Sequence, residues 1–216
     1  MTSMKHSIKS FLKNYIETFY YPSGSFSAVL SGNYFRNGFL FMVIPAGLYT
    51  LMYIMLNLGN GAPSTFTPWL NIPKDHYYFY NQFLAAPSMF LAWFVAAAYL
   101  QTICHFAKGK GSFEQTLAIL GLSISVAMWS TLLHDLIMSF LSAIHWIDAR
   151  KHEIAMNSPT IWRTILWICF ALYFFAFIAL FYRTVRIVHG LNKIKSMLFG
   201  LSAFLLFQCI FLIFSR

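Results

Sequence analysis

The sequence predicts an all-α protein, a polytopic transmembrane helical bundle of five spans preceded by an amphipathic helix in the membrane interface. Three observations predict it. Apolar residues make up 59% of the 216 residues and charged residues only 10%, against roughly 25% charged in a soluble domain. Five long uncharged runs recur along the chain, each close to the ~20 residues needed to cross the hydrocarbon layer. The basic residues fall between those runs, where they read as anchors and topology signals. So few charges cannot cover a water-facing surface, whereas lipid tails solvate apolar side chains.

The chain divides into an arm, residues 1–35, and a five-span domain, residues 36–216. Within the arm, Ile8, Phe11, Leu12, Tyr15, Ile16, Phe19 and Tyr20 follow helical apolar spacing. Lys5, Lys9, Lys13 and Glu17 recur every four residues on the other face. A basic face opposite an aromatic-rich one suits a helix lying in the interface; packing on the protein's own loops is the alternative. The run Tyr21-Pro22-Ser23-Gly24 ends that helix.

The spans are expected at about 37–58, 79–106, 115–134, 161–182 and 196–214. Continuous apolar runs, rather than alternating ones, exclude barrel strands. Pro45 and Pro87 fall inside the first two spans and mark expected kinks. Gly47, Ala92, Ala96, Gly121 and Ser125 supply small residues for close helix approach. Gln101 and Gln208 are candidates for hydrogen bonds between helices. Residues 135–148, DLIMSFLSAIHWID, either extend the third helix or form a short helix on the membrane surface. They are too few for a sixth span.

The excess of Lys and Arg on one side sets the orientation. Lys5, Lys9, Lys13 and Arg36, then Lys108 and Lys110, then Arg183, Arg186, Lys193 and Lys195 share one side, ten of the 15 basic residues. That side is expected to be cytoplasmic, with the N-terminus there and the C-terminus outside. Trp69, Tyr77, Tyr78, Trp146 and Trp162 are expected to mark the outer interface. The nine Lys and Arg outside Arg36 are candidate contacts for anionic headgroups or a protein partner. Net charge is +9, but its placement between apolar runs excludes a nucleic-acid partner. Cys104, Cys169 and Cys209 lie within apolar runs, form no CxxC and read as small buried hydrophobes.

Two constellations carry possible chemistry. In the loop after the second span, Gly109 and Gly111 bracket Lys110, and Ser112 with Gln115 has capping-box spacing. The second constellation is on the predicted outer side. His145, Asp148 and His152 have spacings of three and four and would share one helical face, with His134 eleven residues before His145 on the same face. Such a set is a candidate for a divalent metal; the alternative is a solvated polar stripe with Asp135 paired to Arg163 or a histidine. No other cofactor is implied.

At that loop the stretch GKGSFEQTLAILG, followed by a span, resembles the Yip family of polytopic membrane proteins. FYYPSGSFSAVLSGNYFRNGFLFMVIPAG resembles the family's approach to its first span. VRIVHGLNKIKSMLFGL resembles its turn between spans four and five. The resemblance implies a five-span, non-enzymatic membrane protein, and it marks Gly109, Gly111, Phe113, His189, Gly190, Leu191 and Lys195 as loop-structuring residues. Eukaryotic members contact Rab GTPases through a long cytosolic N-terminal region; only about 36 residues precede the first span here, so a short prokaryotic-type member of the inner membrane is implied. The expected role is scaffold, membrane organiser or accessory subunit, with membrane-protein partners or a second copy. The alternatives are a small transporter or lipid-handling channel, and a metal-binding membrane protein.

Overall fold

A computed structural model describes residues 2–63 and 72–214. Among the described residues nine α-helices follow in order: α1 (Thr2–Glu17), α2 (Pro22–Leu30), α3 (Tyr34–Leu58), α4 (Tyr77–Phe106), α5 (Phe113–Ala127), α6 (Trp129–Ala143), α7 (Ala149–Asn157), α8 (Ile161–Thr184) and α9 (Lys193–Phe214). A 3-10 turn, Lys74–His76, leads into α4, and a π turn, Val185–His189, closes α8. No strand occurs among the described residues. Trp69 and Arg216 lie outside the described residues, as does the side chain of Lys5.

Four helical segments are long and apolar enough to cross a bilayer: Tyr34–Leu58, Lys74–Phe106, Ile161–His189 and Lys193–Phe214. The third expected span, 115–134, falls on a bent pair, α5 and α6, broken at Met128. At 15 residues each, neither reaches the ~30 Å of a hydrocarbon core at 1.5 Å per residue. Taken together they are long and apolar enough for one broken span, which brings the candidate crossings to five. Residues 135–143 therefore extend the third span, and the short polar helix that follows is α7. The helices run on through Pro45 and Pro87.

The chain folds into two compact units. Unit 1 comprises residues 1–43, 93–127 and 176–207. Its centre is α5, buried without interruption from Thr116 to Ala127. A helix apolar on every side has no solvent face to offer, and burial is the stable outcome. Two glycines bring α3 and α5 together. A Cβ on Gly38 would sit 2.5 Å from the Ala118 Cα, and one on Gly121 would sit 2.9 Å from the Gly38 carbonyl oxygen. Gly200 does the same for α9 against the α8 backbone at Phe181 and Tyr182. Gly47, by contrast, has nothing within 4 Å of a built Cβ and marks no close approach. Polar ties join α5 to two further helices: Trp93 Nε1 of α4 donates to the Leu117 carbonyl (2.9 Å), and the hydroxyls of Ser123 and Thr184 of α8 meet at 2.9 Å.

Helix α1 belongs to this unit. Phe11 stacks on Phe41 of α3 at 4.5 Å, and the Tyr15 hydroxyl pairs with Ser125 Oγ of α5 at 3.0 Å. Ile8, Leu12 and Ile16 remain exposed at 54%, 51% and 58%. The apolar face expected to lie on the membrane is thus two stripes. One is inserted between the helices of unit 1, and the other is exposed, as an interfacial helix requires.

Unit 2 comprises residues 44–92, 128–175 and 208–216. Its core is aromatic: Tyr53 stacks on Tyr78 at 5.9 Å and meets Tyr77 edge-on at 6.5 Å. Tyr77 and Tyr78 are 1% and 5% exposed. They are core residues rather than the interface markers the sequence suggested, because three phenol rings bury more area against one another than at an interface. Trp146 is 77% exposed. Gln208 Nε2 donates to the Tyr173 hydroxyl at 2.8 Å, joining α9 to α8 as anticipated. Of the cysteines only Cys104 is buried; Cys209 is exposed.

Replacing Gly38 or Gly121 by leucine forces the α3 and α5 backbones apart. Overpacking of this kind costs about 1–3 kcal/mol, and a thermal melt of the detergent-solubilised protein followed by circular dichroism is expected to shift downward for both. Gly47→Leu is expected to leave the melt within error.

Candidate functional site

Helix ends decide both polar sites, because the last carbonyls of a helix have no partner within it. Helix α4 ends in a Schellman motif. The Gly109 N–H donates to the Cys104 carbonyl at 2.8 Å, and the Lys108 N–H to the His105 carbonyl at 2.9 Å. Lys108 takes the left-handed conformation, φ 65°. The chain then reverses into α5, whose first turn is closed by the anticipated capping box. Gln115 Oε1 accepts from the Ser112 N–H (3.1 Å), and Ser112 Oγ accepts from the Gln115 N–H (3.3 Å).

A buried polar relay locks this reversal to the π turn. The Lys110 N–H donates to the His189 carbonyl at 3.1 Å. The His189 imidazole, 1% exposed, meets Thr116 Oγ1 through Nε2 at 3.0 Å. Thr116 donates to Gln101 Oε1 at 2.8 Å, and Gln101 Nε2 donates to the Gly111 carbonyl at 2.9 Å. The Thr116 hydroxyl also reaches the Ser112 carbonyl at 2.9 Å, so it can donate to either acceptor while taking a hydrogen bond from His189 Nε2–H.

The glycines make room for the imidazole. A Cβ on Gly109 would meet His189 Cβ at 2.9 Å, and one on Gly111 would meet the Val188 carbonyl oxygen at 2.7 Å. Gly190 takes φ 66° as the π turn reverses into α9. Gly109, Gly111, Gly190 and His189 thus belong to one turn structure although the two loops are 78 or more positions apart. The loop-structuring role expected of them rests on these contacts. Sequence spacing could not reveal that Thr116 and Gln101 complete the relay. Gln101 joins α4 to α5 as anticipated, whereas Thr116 looks like an ordinary polar residue of an apolar helix until the π turn reaches it.

Cations surround this knot. Lys108, Lys110, Arg186, Lys193 and Lys195 are exposed and Arg183 is half-buried. Lys9 and Lys13 are exposed on α1, where Lys13 pairs with Glu17 at 3.7 Å. Arg186 Nη1 donates to the Leu191 carbonyl at 3.1 Å, bracing the start of α9. Unit 1 carries ten basic residues against the two acidic residues Glu17 and Glu114, a formal +8. Unit 2 carries five against four, a formal +1.

In unit 2 the structure redraws the expected metal set. Helix α6 stops at Ala143, and His145 occupies the left-handed position (φ 57°) of a second Schellman motif. The Trp146 N–H donates to the Leu141 carbonyl and the His145 N–H to the Ser142 carbonyl. Asp148 caps α7, accepting from the Arg150 and Lys151 N–H groups at 3.0 and 3.1 Å. His145, Asp148 and His152 therefore do not share a helical face, because the chain turns between the first two and α7 begins only after Asp148. His145 is exposed.

His134 and His152 do come together, with ring centroids 5.6 Å apart. Asp135 Oδ1 lies 3.0 Å from His134 Nδ1, so the aspartate is paired with a histidine, not with Arg163. Trp162 meets His152 edge-on at 5.0 Å. The Tyr78 hydroxyl donates to Glu153 at 2.9 Å. Arg150 ties α7 down, donating to Asp75 at 2.9 Å and to the Asn60 carbonyl at 3.0 Å. Burial, reinforced by the neighbouring His134, pushes the His152 imidazole below its usual pKa, which favours the neutral ring. Among the described residues no three His, Cys, Asp or Glu side chains are grouped to hold a metal ion.

Long apolar helices, capped turns and segregated charge define a polytopic helical membrane protein. The Yip1 domain model matches residues 16–215, nearly the whole chain, and the protein belongs to that family. No curated protein and no solved structure matches it.

Thr116→Val keeps shape but leaves His189 Nε2 and Gln101 Oε1 unpaired in a buried setting. A loss of about 1–3 kcal/mol is expected, read as a lower midpoint in SDS unfolding, whereas Thr102→Val on the exposed side of α4 is expected to change nothing. His145→Gly removes the cost of a left-handed non-glycine residue, of order 1 kcal/mol. The melt is expected to rise, the opposite of what loss of a structural metal ligand would do.

Proposed function

We propose that this protein is a non-enzymatic membrane scaffold or accessory subunit. Its unit 1 face binds anionic headgroups and a membrane-protein partner on the cytoplasmic side. The observation that carries this reading is the concentration of charge in unit 1, a formal +8, around a turn that the His189–Thr116–Gln101 relay holds rigid. Exposed lysines on a preorganised turn lose little entropy on meeting a phosphate-rich surface, and each is worth about 1 kcal/mol near an anionic leaflet. Family membership supports a membrane role. The proposed setting is a prokaryotic cytoplasmic membrane, with the N-terminus inside and the C-terminus outside, as the basic excess favours.

A lipid-handling role is the second reading. A cavity of about 430 Å³ in unit 2, lined largely by apolar side chains from α3, α6, α8 and α9 and floored by Gln208, supports it.

Two measurements test the first reading. Lys108→Glu with Lys110→Glu is expected to reduce retention of phosphatidylglycerol over phosphatidylcholine several-fold in native mass spectrometry of the purified protein. Retained lipid preference would count against the headgroup role. Crosslinking in native membranes is expected to recover a stoichiometric partner or a second copy, and recovery of neither would end the scaffold reading. Labelling of single cysteines placed at residues 10 and 110 from the cytoplasmic side only is expected from the orientation.

A further inference from the structure

The cavity beside His134 and His152 in unit 2 is unlike the rest of the protein. It is about 110 Å³, room for an ion and a few waters. The Nε2 atoms of both histidines are buried and have no hydrogen-bond partner. Leaving two imidazole nitrogens dry costs about 1–3 kcal/mol each, which a ligand in the cavity would recover. Asp135 Oδ1 lies 3.0 Å from His134 Nδ1; when the neutral ring donates its Nδ1–H to that carboxylate, Nε2 is left with the lone pair. A carboxylate behind an imidazole is the arrangement that orients histidines as metal ligands.

The other donors at the cavity are hydroxyls and sulfur; the Ser142 Oγ lining it is likewise buried without a partner. Met52, Met138 and Met156 line it together with the two histidines. Asp135 and Glu153 also line it, but each is already engaged, with His134 and with Tyr78. No third nitrogen, thiolate or carboxylate completes a shell for zinc, consistent with the absence of such a group among the described residues. Thioethers select soft ions, copper(I) above all, and two imidazoles suit the same ion. The spacing fits. A ring centroid lies about 3 Å from a metal on its nitrogen, given a bond of ~2.0 Å, so two rings on one ion stand up to about 6 Å apart. The observed separation is 5.6 Å.

We propose that His134 and His152, flanked by the thioethers of Met52, Met138 and Met156, form a copper(I) site in unit 2. This proposal is independent of the scaffold reading and uses none of its residues. It retains two of the four residues that spacing alone suggested and discards His145 and Asp148.

The test is an anaerobic titration of the purified, detergent-solubilised full chain with copper(I) against a chromophoric copper(I) chelator. One copper(I) per chain is expected. His134→Asn and His152→Asn are each expected to weaken binding at least 100-fold, and Asp135→Asn about 10–100-fold. His145→Ala is expected to leave it unchanged. Should a histidine variant lose its monodisperse elution, the Met52→Leu, Met138→Leu, Met156→Leu triple variant decides, since it keeps volume and removes only sulfur. At least a tenfold loss is expected there. Failure of the unaltered protein to take copper(I) from the chelator would overturn the site, leaving waters as the occupants. Unchanged affinity in the triple variant, or zinc(II) bound as tightly as copper(I), would equally overturn it.

Discussion

Hydrocarbon offers a peptide group nothing to bond to, so each helix in this protein must close its backbone within itself and settle its ends by other means. The interiors of the spans are simple in that respect. The ends are where the structure becomes specific. Three of them use the same solution: Asn60, Lys108 and His145 each take a left-handed conformation and direct a pair of N–H groups back to the last carbonyls. Glycine is the usual residue at that position. Here it stands one place later in two of the three, at Gly61 and Gly109. Each non-glycine residue so placed carries strain, offset by two hydrogen bonds and by an abrupt change of chain direction.

That change of direction builds both polar sites. In unit 1 the turn at Lys108 delivers Gly109 and Gly111 to the His189 ring and lets Thr116 and Gln101 complete the relay. The lysines around it are then carried by backbone that cannot drift. In unit 2 the turn at His145 ends α6 and sends the chain through Asp148 into α7. Only this brings His152 to His134, and Arg150 to Asp75. The same cap motif thus presents cations in one unit and gathers two imidazoles in the other. What differs is the surrounding side chains, a strong basic excess in unit 1 and a nearly balanced set in unit 2.

Small residues matter for a related reason. Lipid supplies no hydrophobic drive for helices to associate, so close contact must come from packing and from hydrogen bonds between helices. Gly38, Gly121 and Gly200 allow backbone to approach backbone, and Trp93, Tyr15 and Ser123 add bonds that tie α5 to α4, α1 and α8. Gly47, although it sits in an equally apolar helix, faces open space and does neither.

By itself the sequence determined the class of fold, the approximate spans, the amphipathic first helix, the capping box at Ser112 and the separation of charge. Each of these follows from the local order of residue types, because helical periodicity, hydropathy and cap chemistry act over a few neighbours. Tertiary structure alone decided that the third crossing is a bent pair, that Tyr77 and Tyr78 are core, and that His189 closes a relay with Thr116 and Gln101. It also separated His145 and Asp148 from His152 and placed His134 beside it. Those outcomes depend on where a helix stops and which distant surface it then meets, and a left-handed cap at a lysine or a histidine leaves no mark in residue spacing.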